Sequence, residues 1–361
     1  MFKSNRKSTR YLRHYALTFV AAIAPLACDN DDPEEAALDA QAQLISTELD
    51  HFVAALTAIQ TNAPVPDIDG WNASADAAAV AAMKSEWGKA RDSYERIESA
   101  VATFFSTHDV SLDERYDGFI ESLPAGDANL FDAQGVRGMH AVERILWADQ
   151  IPPYVVAFES KLVGYVPAAF PQNQQQADDF RNKLVAQMIA DATDLRAQYL
   201  DLAKRLKSAD IYQGVFDSMA EQSEKIHLTS TGEAESRYAN RTLADMKANL
   251  AGGHELYMAF SPWVREQNQG AALDEAVMAG FARLEAFYQQ YPGDAMPEVP
   301  AGWNPDAPSA EHLATPYGQL WQTVTRESDL TQAGTLLAAI VAAGHALDFD
   351  LGVATTPGTA N

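Results

Sequence analysis

Residues 38–59, Leu38-Asp39-Ala40-Gln41-Ala42-Gln43-Leu44-Ile45-Ser46-Thr47-Glu48-Leu49-Asp50-His51-Phe52-Val53-Ala54-Ala55-Leu56-Thr57-Ala58-Ile59, place Leu38, Ala42, Ile45, Leu49, Phe52, Leu56 and Ile59 at steps of four and three. That spacing puts them on one face of a helix packing in a bundle. Pro64 and Pro66 break the pattern between Asn62 and Gly70, and Ser74 is a candidate N-cap for the next helix. A second stripe then runs unbroken through Val80, Met83, Trp87, Ala90, Tyr94, Ile97, Val101 and Phe104. A third helix has Met139, Val142 and Leu146 as its core positions. After a lapse at 164–173, Leu184, Met188, Leu195, Tyr199, Leu202 and Leu206 mark another long helix. Further helical patterns cover about 212–228, 240–266, 271–290 and 329–348. Residues 292–316 hold six of the seventeen prolines and read as an irregular crossing loop. Period-two alternation is nearly absent, so the expectation is an all-α protein. It comprises two helical-bundle halves packed side by side, about 38–170 and 174–352, within one helical domain spanning 38–352.

The first 27 residues carry five basic side chains (Lys3, Arg6, Lys7, Arg10 and Arg13) and no acid. The remaining 21 Lys+Arg face 50 Asp+Glu, a formal net charge of −29. Such a body repels phosphate backbones, which argues against nucleic acid as a partner. An apolar run from Tyr15 to Ala27 follows the basic segment, so 1–27 reads as an export signal. Those thirteen residues are too few to span a bilayer as a helix. The only cysteine, Cys28, follows directly and is the expected site of lipidation, although Pro25 departs from the usual Leu-Ala-Gly-Cys pattern. An ordinary cleaved signal is the alternative. Residues 28–37 then read as a lipidated cysteine and an acidic tether. The protein is expected in a bacterial cell envelope, on the periplasmic side or outer surface, held to the membrane by its N-terminal lipid.

The segment Gly138-Met139-His140-Ala141-Val142-Glu143 offers an imidazole and a carboxylate on one helical face. Gly138 would let a neighbouring backbone approach closely. In the second helix Glu98 sits at the edge of the buried stripe, whereas Glu95 is expected to face water. Asp113 lies on the connection between these helices. One imidazole with three carboxylates would suit iron, manganese or zinc. Pairing of Glu98 and Glu143 with Arg91, Arg96 or Arg144 is the competing reading. Glu48-x-x-His51 and Glu224-x-x-His227 fall off their core faces and read as surface pairs.

Three ordered segments resemble the imelysin family: Ala90-Arg91-Asp92-Ser93-Tyr94-Glu95-Arg96-Ile97-Glu98, Leu112-Asp113-Glu114-Arg115 and Gly138-Met139-His140-Ala141-Val142-Glu143-Arg144-Ile145-Leu146. The branch they resemble is that of the EfeO-type periplasmic iron-uptake proteins. Downstream, Thr231-Gly232-Glu233, Tyr238 and Leu243-Ala244-Asp245-Met246-Lys247-Ala248-Asn249-Leu250-Ala251-Gly252 fall where that branch has Gly-Glu-Glu, a Tyr and Asp-Phe-Gln-Ala-Asn-Val-x-Gly. The resemblance implies a two-bundle helical fold and a metal site made by His140 and Glu143 with Glu98 and Asp113. It also implies a role in iron acquisition, with a divalent or trivalent ion as ligand, iron first and zinc second, and a membrane iron permease as partner. Thr242 stands where the branch has an acid, and no cupredoxin-like segment is present. A metallopeptidase is the alternative, since imelysins are classed among peptidases, but Arg144 stands where a second histidine would complete a hydrolytic motif. A helical scaffold or adhesin with a structural metal, or none, is the third reading.

Overall fold

Asp32 and Pro33 start the first helix, α1 (Pro33–Asn62): the Asp32 carboxylate accepts from the Glu34 amide, and Glu34 and Glu35 sit in the first turn. The structure, a computed structural model, describes residues 32–351 apart from 73, 124 and 125. The expected signal segment and Cys28 lie outside the described residues. The expected tether extended to residue 37, but Asp32 caps a helix there, so 33–37 belong to α1.

After α1 come α2 (Ala77–Glu95), α3 (Glu98–Val101), α4 (Ser106–Asp113), α5 (Tyr116–Ser122), α6 (Gly138–Leu146) and α7 (Pro153–Glu159). α8 (Gln174–Asp179) runs through a π-helical turn, Phe180–Leu184, into α9 (Val185–Leu202). The remainder is α10 (Ser208–Thr231), α11 (Thr242–Glu266), α12 (Gly270–Tyr288), α13 (Ala310–Leu313), α14 (Pro316–Glu327) and α15 (Leu336–Ala346). Among the described residues there is no strand, and no helix is long and apolar enough to cross a membrane.

Ile45, Leu49, Phe52, Leu56 and Ile59 form the buried face of α1, as the spacing predicts. The second stripe does not stay on one helix. α2 ends at Glu95, Ile97 takes φ −123° and ψ −8°, and α3 starts afresh at Glu98. The break is filled by α11, where a Cβ on Gly252 would lie 1.9 Å from the Arg96 carbonyl oxygen. Glycine is what lets the two backbones meet. α2 also starts at Ala77 rather than directly after Ser74, because Asn72 and Asp76 close a turn through the Asn72 amide and the Asp76 carboxylate.

α1 packs along α2, α9 and α11; α10 packs along α11 and α3; α12, α14 and α15 close the far side. α9 therefore returns to α1, α4 and α6, although it follows residue 174. No division falls near 170, since α9 packs back on α1, α4 and α6, and α11 touches both α1 and α2, so one core is shared. α14 is a helix the sequence reading left unassigned. Thr315 caps it, accepting from the Gly318 amide, and Pro316 occupies its first turn.

Candidate metal centre

Gly138 opens α6 with φ +79°, and a Cβ there would come within 2.6 Å of the Leu112 carbonyl oxygen. Only glycine permits α6 to start against the end of α4 in this way. The consequence is that His140, in the first turn of α6, meets Asp113, the last residue of α4. α2 adds Arg91 and Glu95, α3 adds Glu98, and α10 adds Glu221 and Lys225. The turn between α10 and α11 adds Glu235.

His140 is 1% exposed. Its Nδ1 donates to Glu143 Oε2 at 2.8 Å, and Glu143 Oε1 accepts from the amides of Tyr238 (2.9 Å) and Ala239 (2.8 Å). Glu143 therefore has both oxygens committed and fixes the ring. Glu143 was expected as a direct ligand, but its oxygens are taken by His140 Nδ1 and two backbone amides, and it is not among the groups whose ligand atoms converge. The other nitrogen, Nε2, is buried without a hydrogen-bond partner. It lies 3.3 Å from Asp113 Oδ1 and 3.6 Å from Glu235 Oε2. Asp113, His140 and Glu235 each offer one ligand atom within 4.8 Å of the others, as do Glu98, Asp109 and Asp113. Glu98 thus joins Asp109 around Asp113 and is outside the set that faces the imidazole.

Cations are built in as well. Arg91, with no exposure, donates to Asp113, Glu95 and Glu235. Lys225, equally buried, lies 3.2 Å from Glu95 and Glu98, 3.6 Å from Glu221 and 3.7 Å from Glu235. Carboxylates still outnumber cations: Glu95, Glu98, Asp109, Asp113, Glu143, Glu221, Glu235 and Asp245 surround Arg91, Arg115, Lys225 and His140. Burial alone would lower the His140 pKa, but the carboxylates of Asp113, Glu143 and Glu235 around the ring hold it well above the usual range. Burial would raise Glu235, yet Lys225, His140 and Arg91 hold it well below the usual carboxylate range. Burial dominates elsewhere: it pushes Glu98 well up, Asp245 to about 7 and Asp109 to about 6. A proton and a metal ion are alternatives at the imidazole nitrogen, and a multivalent cation would offset the local negative excess.

In the structure His140 meets both Asp113 and Glu143, and it adds Glu235, Lys225 and a buried Glu95 that the sequence did not point to. Glu95 is fully buried, with Arg91 of its own helix and Lys225 of α10 against its carboxylate on the flank that the stripe left open. Neither Glu98 nor Glu143 pairs with Arg91, Arg96 or Arg144: Arg96 holds Glu48 and Glu255, and Arg144 holds Glu159. Glu224, His227 and His51 are exposed, whereas Glu48 turns inward to Arg96. The signal for Glu235 was the pair Glu233 and Glu235 just after Gly232, which stops α10 in the left-handed conformation.

The family model described as imelysin, peptidase family M75, matches residues 35–320, most of the chain. The fold is similar to that of an imelysin-like protein from Psychrobacter arcticum 273-4, solved at 2.15 Å, with a TM-score of 0.52 and 13% identity. That likeness covers 89% of this chain and 94% of the other. No curated protein matches the chain significantly. On the family match, the chain belongs to the imelysin family.

Proposed function

We propose that this imelysin is a cell-envelope lipoprotein that captures a metal ion, iron first, and passes it to a membrane permease. His140 Nε2, Asp113 and Glu235 would hold the ion, Glu143 would orient the imidazole, and Glu98 with Asp109 would supply acid alongside. The observation that carries this is the buried His140 Nε2, without a hydrogen-bond partner, facing two carboxylate oxygens while Nδ1 is locked by Glu143. A carboxylate on the far nitrogen is the usual support of a ligating histidine. A set of one imidazole and several carboxylates favours iron, manganese or zinc over thiol-seeking ions.

The burial of the site favours ion capture over peptide hydrolysis. A peptidase must bring a scissile carbonyl to the metal beside a general base. Here His140 is 1% exposed and Glu143 fully buried, so a polypeptide has no path to them in this conformation. A small ion has far less chain to displace.

Elemental analysis of the purified protein, loaded separately with ferrous iron, ferric citrate and zinc, tests the reading. Near-stoichiometric metal that disappears in His140→Ala and in Asp113→Asn is expected. Equal metal in those variants, or none in the unmodified protein, would sink it. Mass spectrometry of the N-terminal peptide tests the anchor, with a diacylglyceryl group on Cys28 as the expected result.

A further inference from the structure

The two carboxylate oxygens that face the His140 nitrogen are the same two that Arg91 uses. Arg91 Nη1 donates to Asp113 Oδ1, and Nη2 donates to Glu235 Oε2 at 2.7 Å. A metal ion at His140 Nε2 would need those lone pairs. Lys225 and Arg115 are not in the same position: both approach the other oxygen of Glu235, Oε1, at 3.7 and 3.6 Å. They hold the carboxylate without blocking it.

Arg91 also has somewhere to go. Its Nε is buried without a hydrogen-bond partner, and so is Asp245 Oδ1, and the two are 3.8 Å apart. An orphaned donor beside an orphaned acceptor, just beyond bonding distance, is costly in a folded core unless a second arrangement uses it. We propose that Arg91 is a resident cation displaced by the incoming metal ion, and that Asp245 receives its guanidinium. Resting on the metal-capture reading above, this deepens it: the acidic site is never without a positive charge, and the cost of moving Arg91 keeps the captured ion releasable. Glu95, which also accepts from Arg91, stays bonded through the shift and acts as its pivot.

Zinc titration of the full-length protein by calorimetry tests this with Asp245→Asn, Arg91→Lys and the double variant. Asn at 245 still accepts from the Ser236 amide, so the turn it supports is kept. Asp245→Asn should weaken zinc binding about tenfold or more, the scale of losing a supporting contact outside the ligand set. In the Arg91→Lys background the same change should matter less than about twofold, because the two sites act through one another. A second readout needs no substitution: in a spectrum of isotope-labelled arginines, the Arg91 Nε–H signal, assigned by its loss in Arg91→Lys, should move on zinc addition. Failure of the unmodified protein to bind zinc, iron or manganese would remove the capture reading itself. Zinc binding with Asp245→Asn unaffected, with equal losses in both backgrounds, or with an unmoved Arg91 signal would overturn this inference alone.

Discussion

Two parts of the same core are built on opposite rules. At one, Tyr212, Tyr257, Phe260 and Phe349 pack ring against ring, with Tyr212 and Phe260 centroids 5.0 Å apart. Their polar atoms are satisfied: the Tyr212 hydroxyl donates to the Ile340 carbonyl and the Tyr257 hydroxyl to Asp274. Around His140, by contrast, Arg91 Nε, Glu95 Oε2, Arg115 Nε, His140 Nε2 and Asp245 Oδ1 are all buried without hydrogen-bond partners. Apolar burial stabilises in proportion to area, whereas a buried polar group without a partner costs about 1–3 kcal/mol. The aromatic region therefore holds the fold up, whereas the charged region costs the fold stability.

The largest effect should come from the aromatic side. Phe260→Ala removes a fully buried ring and should destabilise the protein by about 3–5 kcal/mol, equally with and without metal. Denaturant unfolding in both conditions checks this, and a metal-dependent loss would mean the two regions are coupled. Next is His140→Ala, which should abolish the metal-linked gain of about 2.7 kcal/mol available to the unmodified protein at a hundredfold excess over Kd. Thermal shifts with and without zinc measure it, and a variant that still gains stability would place the ion elsewhere. Gly252→Ala should come third, at about 1–3 kcal/mol, since its Cβ would strike the Arg96 carbonyl at the helix break. Because Glu98 starts the helix just after that break, some loss of metal affinity should accompany it. Unchanged stability would show that α11 can move away freely.

The contrast also explains what could be read in the chain. The apolar stripes on α1 and α2 were legible because burial repeats at helical spacing, and Met83, Trp87, Ala90, Tyr94 and Ile97 are all fully buried. The break at Ile97 was not, since its cause is a glycine 155 residues later that leaves no mark on the local pattern. His140, Asp113 and Glu143 were legible through motif order. Glu95 and Lys225 were misread or missed because a one-face stripe assigns charged residues to water. Here a second face of α2 is buried too, and its charges are paired across helices. Glu235 depends on how a turn between two long helices folds back, which no periodicity reports.

The smallest effect sharpens the comparison through pH. Asp217, on α10, is a carboxylate in burial with no cation among the groups that shift it, and burial pushes it up to about 6 from 3.8 despite a hydrogen bond from Gln213. Between those values the folded chain binds the proton more tightly than the unfolded chain does. Its contribution to stability is therefore greatest below about pH 4, falls as pH rises to about 6, and stays flat above. Glu235 behaves oppositely: its pKa is held well below the usual value of 4.5, so its contribution is present above about 4.5 and is lost as pH falls through the lowered value. Asp217→Asn should thus raise stability at pH 7 by on the order of 1 kcal/mol, discounted for partial solvent contact, and change nothing at about pH 4. Urea midpoints at the two pH values decide it. A gain at both, or at neither, would mean that Asp217 is compensated in the fold as Glu235 is, and that buried carboxylates outside the cluster are not the costly ones.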